Sequence, residues 1–341
     1  MSSSVSNSRY KAAAIFGAIL ALALVLGLLT TWQYVLARGI DYLEHGHQIR
    51  RHSDVIQGNA GAPWQYRVLA PFMIEYVIEF FRGLNVPYHL ATSFILFRVF
   101  QDTTILLLSY VYYRKLGASR WMTVLGMLLL AFGMGTSHFD SDFQFNTFFD
   151  VIFYLLAGIC ILYRWFWMVV PITILAAFNR ETSGLIPFML LVAVVWNRGS
   201  VSWLKGLALF IASLGSYGLV YQWLRAVYPE QVLITAYNHQ PGLELLSYNL
   251  WREGTWVNLA YTLNLTPLIA IAGYSRWPAA LKVFFWTVVP IWFLVHALGA
   301  VMAETRLFLV PLALVFVPGT LTALSYRPSY QSMTGPPEAN Y

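Results

Sequence analysis

The chain has 341 residues, of which 58% are hydrophobic and 11% charged, with a net charge of +6. Soluble domains average about 25% charged residues, and apolar runs near the ~20 residues that a bilayer demands recur along the whole length. A soluble fold is therefore excluded, as is a transmembrane barrel built from ~10-residue alternating segments.

The predicted class is all-α: one polytopic membrane domain over residues 1–326 with about ten transmembrane helices, followed by a polar, proline-bearing tail over 327–341 expected to be disordered. The polar start, MSSSVSNSRYK, leads into an apolar run at 12–37 that is too long for a signal-peptide core and reads as a retained first helix. Further spans are predicted at 88–113, 119–137, 148–163, 166–179, 184–197, 201–227, 255–274, 279–301 and 304–325. Between the first two lies a long loop, 38–87, and a second long loop covers 228–254. Within the first, VLAPFMIEYVIEFFRG (68–83) is apolar but short, with Glu75, Glu79 and Arg82 on one helical face, which predicts an amphipathic helix lying on the membrane.

Charge sorting sets the expected orientation. If 68–83 does not cross and the N-terminus is cytoplasmic, Lys11, Lys115, Lys205 and Lys282 all fall inside, and Glu338 is the only acid that does. If 68–83 crossed, three of the four lysines would move outside. Both termini are thus expected in the cytoplasm. The outer side then holds 38–87, HFDSDFQFNTFFD (138–150), NRET (179–182), 228–254 and ETR (304–306), and such convergence is what a site between helices requires. The positive charge itself, in loops without interleaved aromatics, speaks for orientation and anionic lipid contact and against nucleic acid. The lone Cys160 cannot form an internal disulfide or a multi-cysteine metal site.

The stretch 38–67 carries three carboxylates, three histidines and four arginines. Asp41, just past the first helix, is a candidate general base; Glu44 is its nearest rival and Asp54 a loop acid. His45, His47 and His52 lie close together, yet lack the further ligands of a metal site, so hydrogen bonding at the interface is the plainer reading. Asp140 and Asp142 form a DxD pattern that can position an acceptor hydroxyl or hold a divalent cation such as magnesium or manganese, and Asp150 is a further acid at a helix start. Arg98 and Asp102, four apart on one helix, can pair. Arg180 and Arg306, each beside an acid (Glu181, Glu304), are candidate phosphate ligands because guanidinium offers a planar fork to two oxygens; reciprocal Arg–Glu pairing between the two turns is the structural alternative. In Trp64-Gln65-Tyr66-Arg67 the aromatics either anchor at the interface or stack on sugar.

These features together resemble the GT-C superfamily of integral-membrane glycosyltransferases: an aspartate after the first helix in RGIDYLEHGH, the amphipathic 68–83, a second acidic segment with Asp140 and Asp142, and the arginine turns at Arg180 and Arg306. The resemblance is architectural and covers most of the chain. It implies inverting transfer of a sugar from a polyprenyl-phosphate donor to a glycan or glycolipid acceptor at the outer membrane face. Asp41 would be the base, Glu44, Asp140, Asp142 and Asp150 would position acceptor or cation, Arg67, Arg180 and Arg306 would hold the donor phosphate, and His45, Glu181 and Glu304 would support them. The chemistry agrees, since phosphate leaves without a general acid if cations hold its charge, and no P-loop is present for a nucleotide. The competing expectations are a transporter or flippase for a lipid-linked or anionic substrate, which would use Arg98, Asp102 and Asp150 within the membrane, and a noncatalytic membrane subunit. A bacterial inner membrane is the expected location.

Overall fold

The computed structural model describes residues 2–138, 143–196, 202–229, 232–233 and 239–325. The described chain is helical, and a β-bridge joins Ala62 to Leu233. The long helices are α1 (Ser2–Arg38), α5 (His89–Lys115), α6 (Arg120–Thr136), α7 (Phe145–Leu162), α10 (Trp203–Val227) and α14 (Ala279–Gly299). Shorter ones are α2 (Ile40–His45), α3 (His47–Ile56), α4 (Leu69–Gly83), α8 (Val169–Asn179), α9 (Leu185–Trp196), α11 (Leu243–Trp251), α12 (Glu253–Leu263) and α13 (Thr266–Ala272). The last segment runs through α15 (Leu309–Pro311) and a π-helical turn (Leu312–Phe316) into α16 (Val317–Leu324).

Among the described residues six helices are long and apolar enough to cross a membrane: Ala13–Arg38, His89–Lys115, Phe145–Leu162, Trp203–Val227, Ala279–Gly299 and Thr305–Leu324. Arg120–Thr136, Phe166–Asn179 and Glu181–Trp196 are apolar but shorter. The architecture is that of a helical membrane protein, with α7 and the last segment innermost and α1 and α10 on the periphery.

Two local breaks have sequence causes. The single helix expected over 255–274 is split: Asn264 takes a left-handed φ of 44°, its Oδ1 accepts the Thr266 amide at 2.9 Å, and Pro267 starts α13. The helix expected over 304–325 opens into the π-helical turn. Pro318 has no N–H, so the Leu314 carbonyl loses its usual donor four residues on. The Tyr112 hydroxyl donates to that carbonyl at 2.9 Å, and the Tyr113 hydroxyl to the Ala313 carbonyl at 3.0 Å. Two neighbouring tyrosines of α5 thus satisfy the backbone of a buried, widened turn.

The stretch 38–87 is not an open loop around one helix. It folds into α2, α3, a short 3-10 turn at Trp64–Tyr66 and α4. α4 buries Ala70, Ile74 and Ile78, one face at four-residue spacing, and leaves Glu79 and Arg82 outside, where they pair. The 228–254 stretch contains α11, and its Val232 carbonyl accepts from the Ala62 amide at 2.8 Å, tying the two regions together. Residues 327–341 lie outside the described residues.

Candidate functional site: an arginine-lined cleft

At the end of the bundle where α1 finishes and α7 begins, an open cleft of about 260 Å³ is lined by Arg51, Arg67, Arg180 and Arg306, with Trp64 and Glu304. Each guanidinium is delivered by a different segment. Arg51 comes from α3, Arg67 from the end of the 3-10 turn, Arg180 from the break between α8 and α9, and Arg306 from the turn that opens the last segment.

The arginines are fixed by carboxylates and ring faces. Arg67 donates from Nε and Nη2 to Glu181 Oε2 at 3.1 and 3.0 Å. Arg180 Nη1 reaches Asp150 Oδ2 at 3.3 Å and Thr147 Oγ1 at 3.2 Å. Arg306 also donates to Thr147 Oγ1, at 3.4 Å, and pairs with Glu304 of its own turn. Arg51 and Arg67 lie over the Trp64 ring at 4.3 and 4.9 Å. The reciprocal pairing between the two turns therefore does not form: Glu181 serves Arg67 and Asp150 serves Arg180.

Asp150 is the structural centre of this network. It is buried at the start of α7 and accepts from Asn179 at 2.8 Å and Thr182 at 3.3 Å besides Arg180. Asn179 also donates to the Asn146 carbonyl at 2.8 Å, and Asn146 donates to the Arg67 carbonyl at 3.2 Å. The NRET turn is thus bolted to α7 through side chains the sequence places at helix ends. Burial, and next the neighbouring Arg67 charge, lower Arg180 to about 10, still cationic at neutral pH. Its Nε is buried without a partner among the described residues. Among the described residues, three carboxylates pair with three of the four guanidinium groups: Glu181 with Arg67, Asp150 with Arg180 and Glu304 with Arg306.

The other expected residues are distributed differently. Asp41 lies on α2 with 93% of its side chain exposed, 4.0 Å from His45 and outside the lining of the cleft. Glu44 is buried and accepts the Ala91 amide at 2.7 Å, so it satisfies an open donor at the first turn of α5. Asp54 is exposed. His47 contacts Arg50, and buried His52 bonds Glu75 of α4 at 2.6 Å. Asp102 accepts from Thr30 and Thr31 of α1 at 2.9 and 3.2 Å, while the Arg98 guanidinium lies 3.4 Å over the Phe148 ring. Asp140 and Asp142 lie outside the described residues, and among those that are described no group of three His, Cys, Asp or Glu is placed to hold a metal.

Arg51 is the cleft residue that sequence reasoning missed. Its partner, Trp64, is 13 positions away, and no helical or strand spacing links the two. A second, smaller cavity shares Arg51, Trp64 and Arg67 and reaches His52 and Gln48. Compared with protein-family models, curated proteins and solved structures, the chain matches none.

Proposed function

We propose that the chain is an integral-membrane glycosyltransferase of the GT-C kind, transferring a sugar from a polyprenyl-phosphate donor to a glycan or glycolipid acceptor. The observation that carries this reading is the convergence of Arg51, Arg67, Arg180 and Arg306 on one cleft at one end of an apolar bundle. A donor anchored by its lipid chain would present its phosphate at that level, and planar guanidinium forks suit two phosphate oxygens at once.

In the reaction, an acceptor hydroxyl loses its proton to a carboxylate and its oxygen attacks the anomeric carbon. The carbon–oxygen bond to phosphate breaks, and the arginines hold the charge left on the polyprenyl phosphate. The expected base, Asp41, stands exposed on α2 outside the lining of the cleft, and Glu304, which lines it, is the second carboxylate to test. The proposed topology is ten crossings with α4 at the interface, the cleft on the outer face of a bacterial inner membrane and both termini in the cytoplasm. It rests on the gathering of all four lysines at the other helix ends. The polar residues Arg98 and Asp102 inside α5 favour a second reading, a flippase for the same kind of lipid.

The test follows glycolipids and envelope glycans by mass spectrometry in cells lacking the protein and carrying back wild-type or variant chains. Loss of one sugar-bearing product, restored by wild type but not by Arg180→Gln or Arg306→Gln at equal membrane abundance, is expected. Asp41→Asn and Glu304→Gln assign the base by which of them fails to restore it. An unchanged glycan profile on deletion overturns the transferase reading, and flipping of a labelled polyprenyl phosphate without bond formation replaces it with the second.

A further inference from the structure

The arginine cleft has one apolar wall. It is the end of α14, where Gly299 and Ala300 line the opening together with Leu307 of the turn that follows. A Cβ placed on Gly299 would meet nothing within 4 Å, so the wall leaves open space at this point. His296 comes three and four positions before Gly299 and Ala300, on the same helical face and one turn deeper.

The His296 ring is buried and held in one orientation. Trp292 stacks against it with ring centres 4.9 Å apart, and the Phe308 ring lies 6.0 Å away. Nδ1 bonds the Trp292 carbonyl at 2.8 Å. A carbonyl only accepts, so Nδ1 carries the proton, and Nε2 of the neutral ring is left with a lone pair. Among the described residues no hydrogen bond engages Nε2. Of the charged groups, Arg180 acts on this ring most strongly, followed by Arg67 and Arg306. Arg180 has the complementary gap, an Nε–H buried without a partner among the described residues. An unmatched acceptor and an unmatched donor thus adjoin the same cleft. One oxygen satisfies both if it carries a proton, by accepting from Arg180 Nε and donating to His296 Nε2. An ionised phosphate oxygen has no proton to give and meets a lone pair there, so the two side chains admit a hydroxyl and turn phosphate away.

We infer that Arg180 and His296 form a couple that binds a hydroxyl of the donor sugar. The inference rests on the transferase reading, in which Arg180 also holds the donor phosphate, and the sugar bonded to that phosphate is the nearest source of hydroxyl groups. His296 is in this role a specificity-determining residue. It makes the cleft favour a sugar-bearing lipid phosphate over the bare lipid phosphate that remains after transfer, and so helps the product to leave.

Native mass spectrometry of the full chain in mild detergent tests it, with undecaprenyl phosphate as the probe, either bare or carrying glucose, mannose, galactose or arabinose. Wild type is expected to bind at least one sugar-bearing lipid about tenfold more tightly than the bare one, the equivalent of about 1.4 kcal/mol. His296→Phe keeps a ring beside Trp292 and Phe308 but offers no lone pair. It is expected to abolish the preference and to leave binding of the bare lipid unchanged, which also reports that the variant is folded. His296→Gln, whose amide oxygen accepts, is expected to keep part of the preference. Equal affinity of wild type for the bare lipid and for every sugar-bearing one overturns the couple and leaves the phosphate cleft standing. So does a preference that survives in His296→Phe. Bare-lipid binding that Arg180→Gln leaves unchanged instead overturns the phosphate cleft, and with it the reading on which the couple rests. Loss of the preference in millimolar methyl glycosides of the same sugars would overturn the donor assignment and give the hydroxyl to the acceptor.

Discussion

Asp150 and Arg180 are 1% and 5% exposed, and each would be a buried, uncompensated charge without the other. Asp150→Asn is expected to cost about 3 kcal/mol in denaturant unfolding of the detergent-solubilised chain, and to loosen the NRET turn that also holds Arg67 through Glu181. His52 gives a pH-dependent case. Burial pushes it below its usual value against the pull of Glu75. The unfolded chain takes up a proton near pH 6.5, while the folded His52 resists it. This contribution is therefore complete above about pH 6.5 and is lost as pH falls toward the lower folded value. Thermal unfolding followed from neutral to acidic pH should show a stability loss that His52→Gln makes shallower. At this scale the sequence is a partial guide. Arg67, Arg180 and Arg306 stand out because polar residues at helix ends are rare in so apolar a chain. Their carboxylate partners do not, because pairing is decided by which helix ends meet in space. Asp41 and Glu44 differ by three positions, yet one faces solvent and the other closes the start of α5.

Helices are the best-read elements, since a run of apolar residues bounded by polar ones sets both type and length. The helices expected at 88–113 and 119–137 correspond to α5 at His89–Lys115 and α6 at Arg120–Thr136, of which α5 alone is among the six long enough to cross a membrane. Reading fails where one residue changes the backbone inside an apolar run, as at Asn264 and Pro318. Two element-level outcomes follow from contacts. Glu44→Ala, which removes the acceptor for the Ala91 amide, should destabilise the start of α5 by about 1 kcal/mol, visible as faster hydrogen exchange in its first turn. A Cβ at Gly319 would lie 2.7 Å from the Trp277 ring and 3.0 Å from Ala270 Cβ, so α13, α16 and the Trp277 turn pack around a missing methyl. Gly319→Ala should cost about 1–3 kcal/mol, and part of that loss should be recovered in the double variant with Trp277→Phe, since the two residues share one contact.

Among the described residues the whole molecule has two chemically unlike ends, one with carboxylates interleaved among arginines, the other with Arg114, Lys115, Arg120, Arg164, Arg276 and Lys282 in its turns. The proposed orientation predicts that, in a Cys160→Ser background, a membrane-impermeant maleimide labels Asp41→Cys in intact cells and Lys282→Cys only after the membrane is opened. Equal labelling of both in intact cells would reject it. The two ends are joined by the last segment, which starts at Arg306 in the arginine cleft and finishes at Leu321 and Ser325 beside the α5–α6 turn. Its widened turn at Leu312–Phe316 sits between them. Each residue advances a helix by about 100°, so this turn acts as a phase shifter, setting the angle of the lower half independently of the upper. Deleting Ala313 would leave Arg306 where it is and turn Thr320 away from the Thr266 carbonyl it now reaches at 2.8 Å. The relative angle of the two ends is therefore set by the widened turn, and a change of one residue there would re-aim the lower half as a unit.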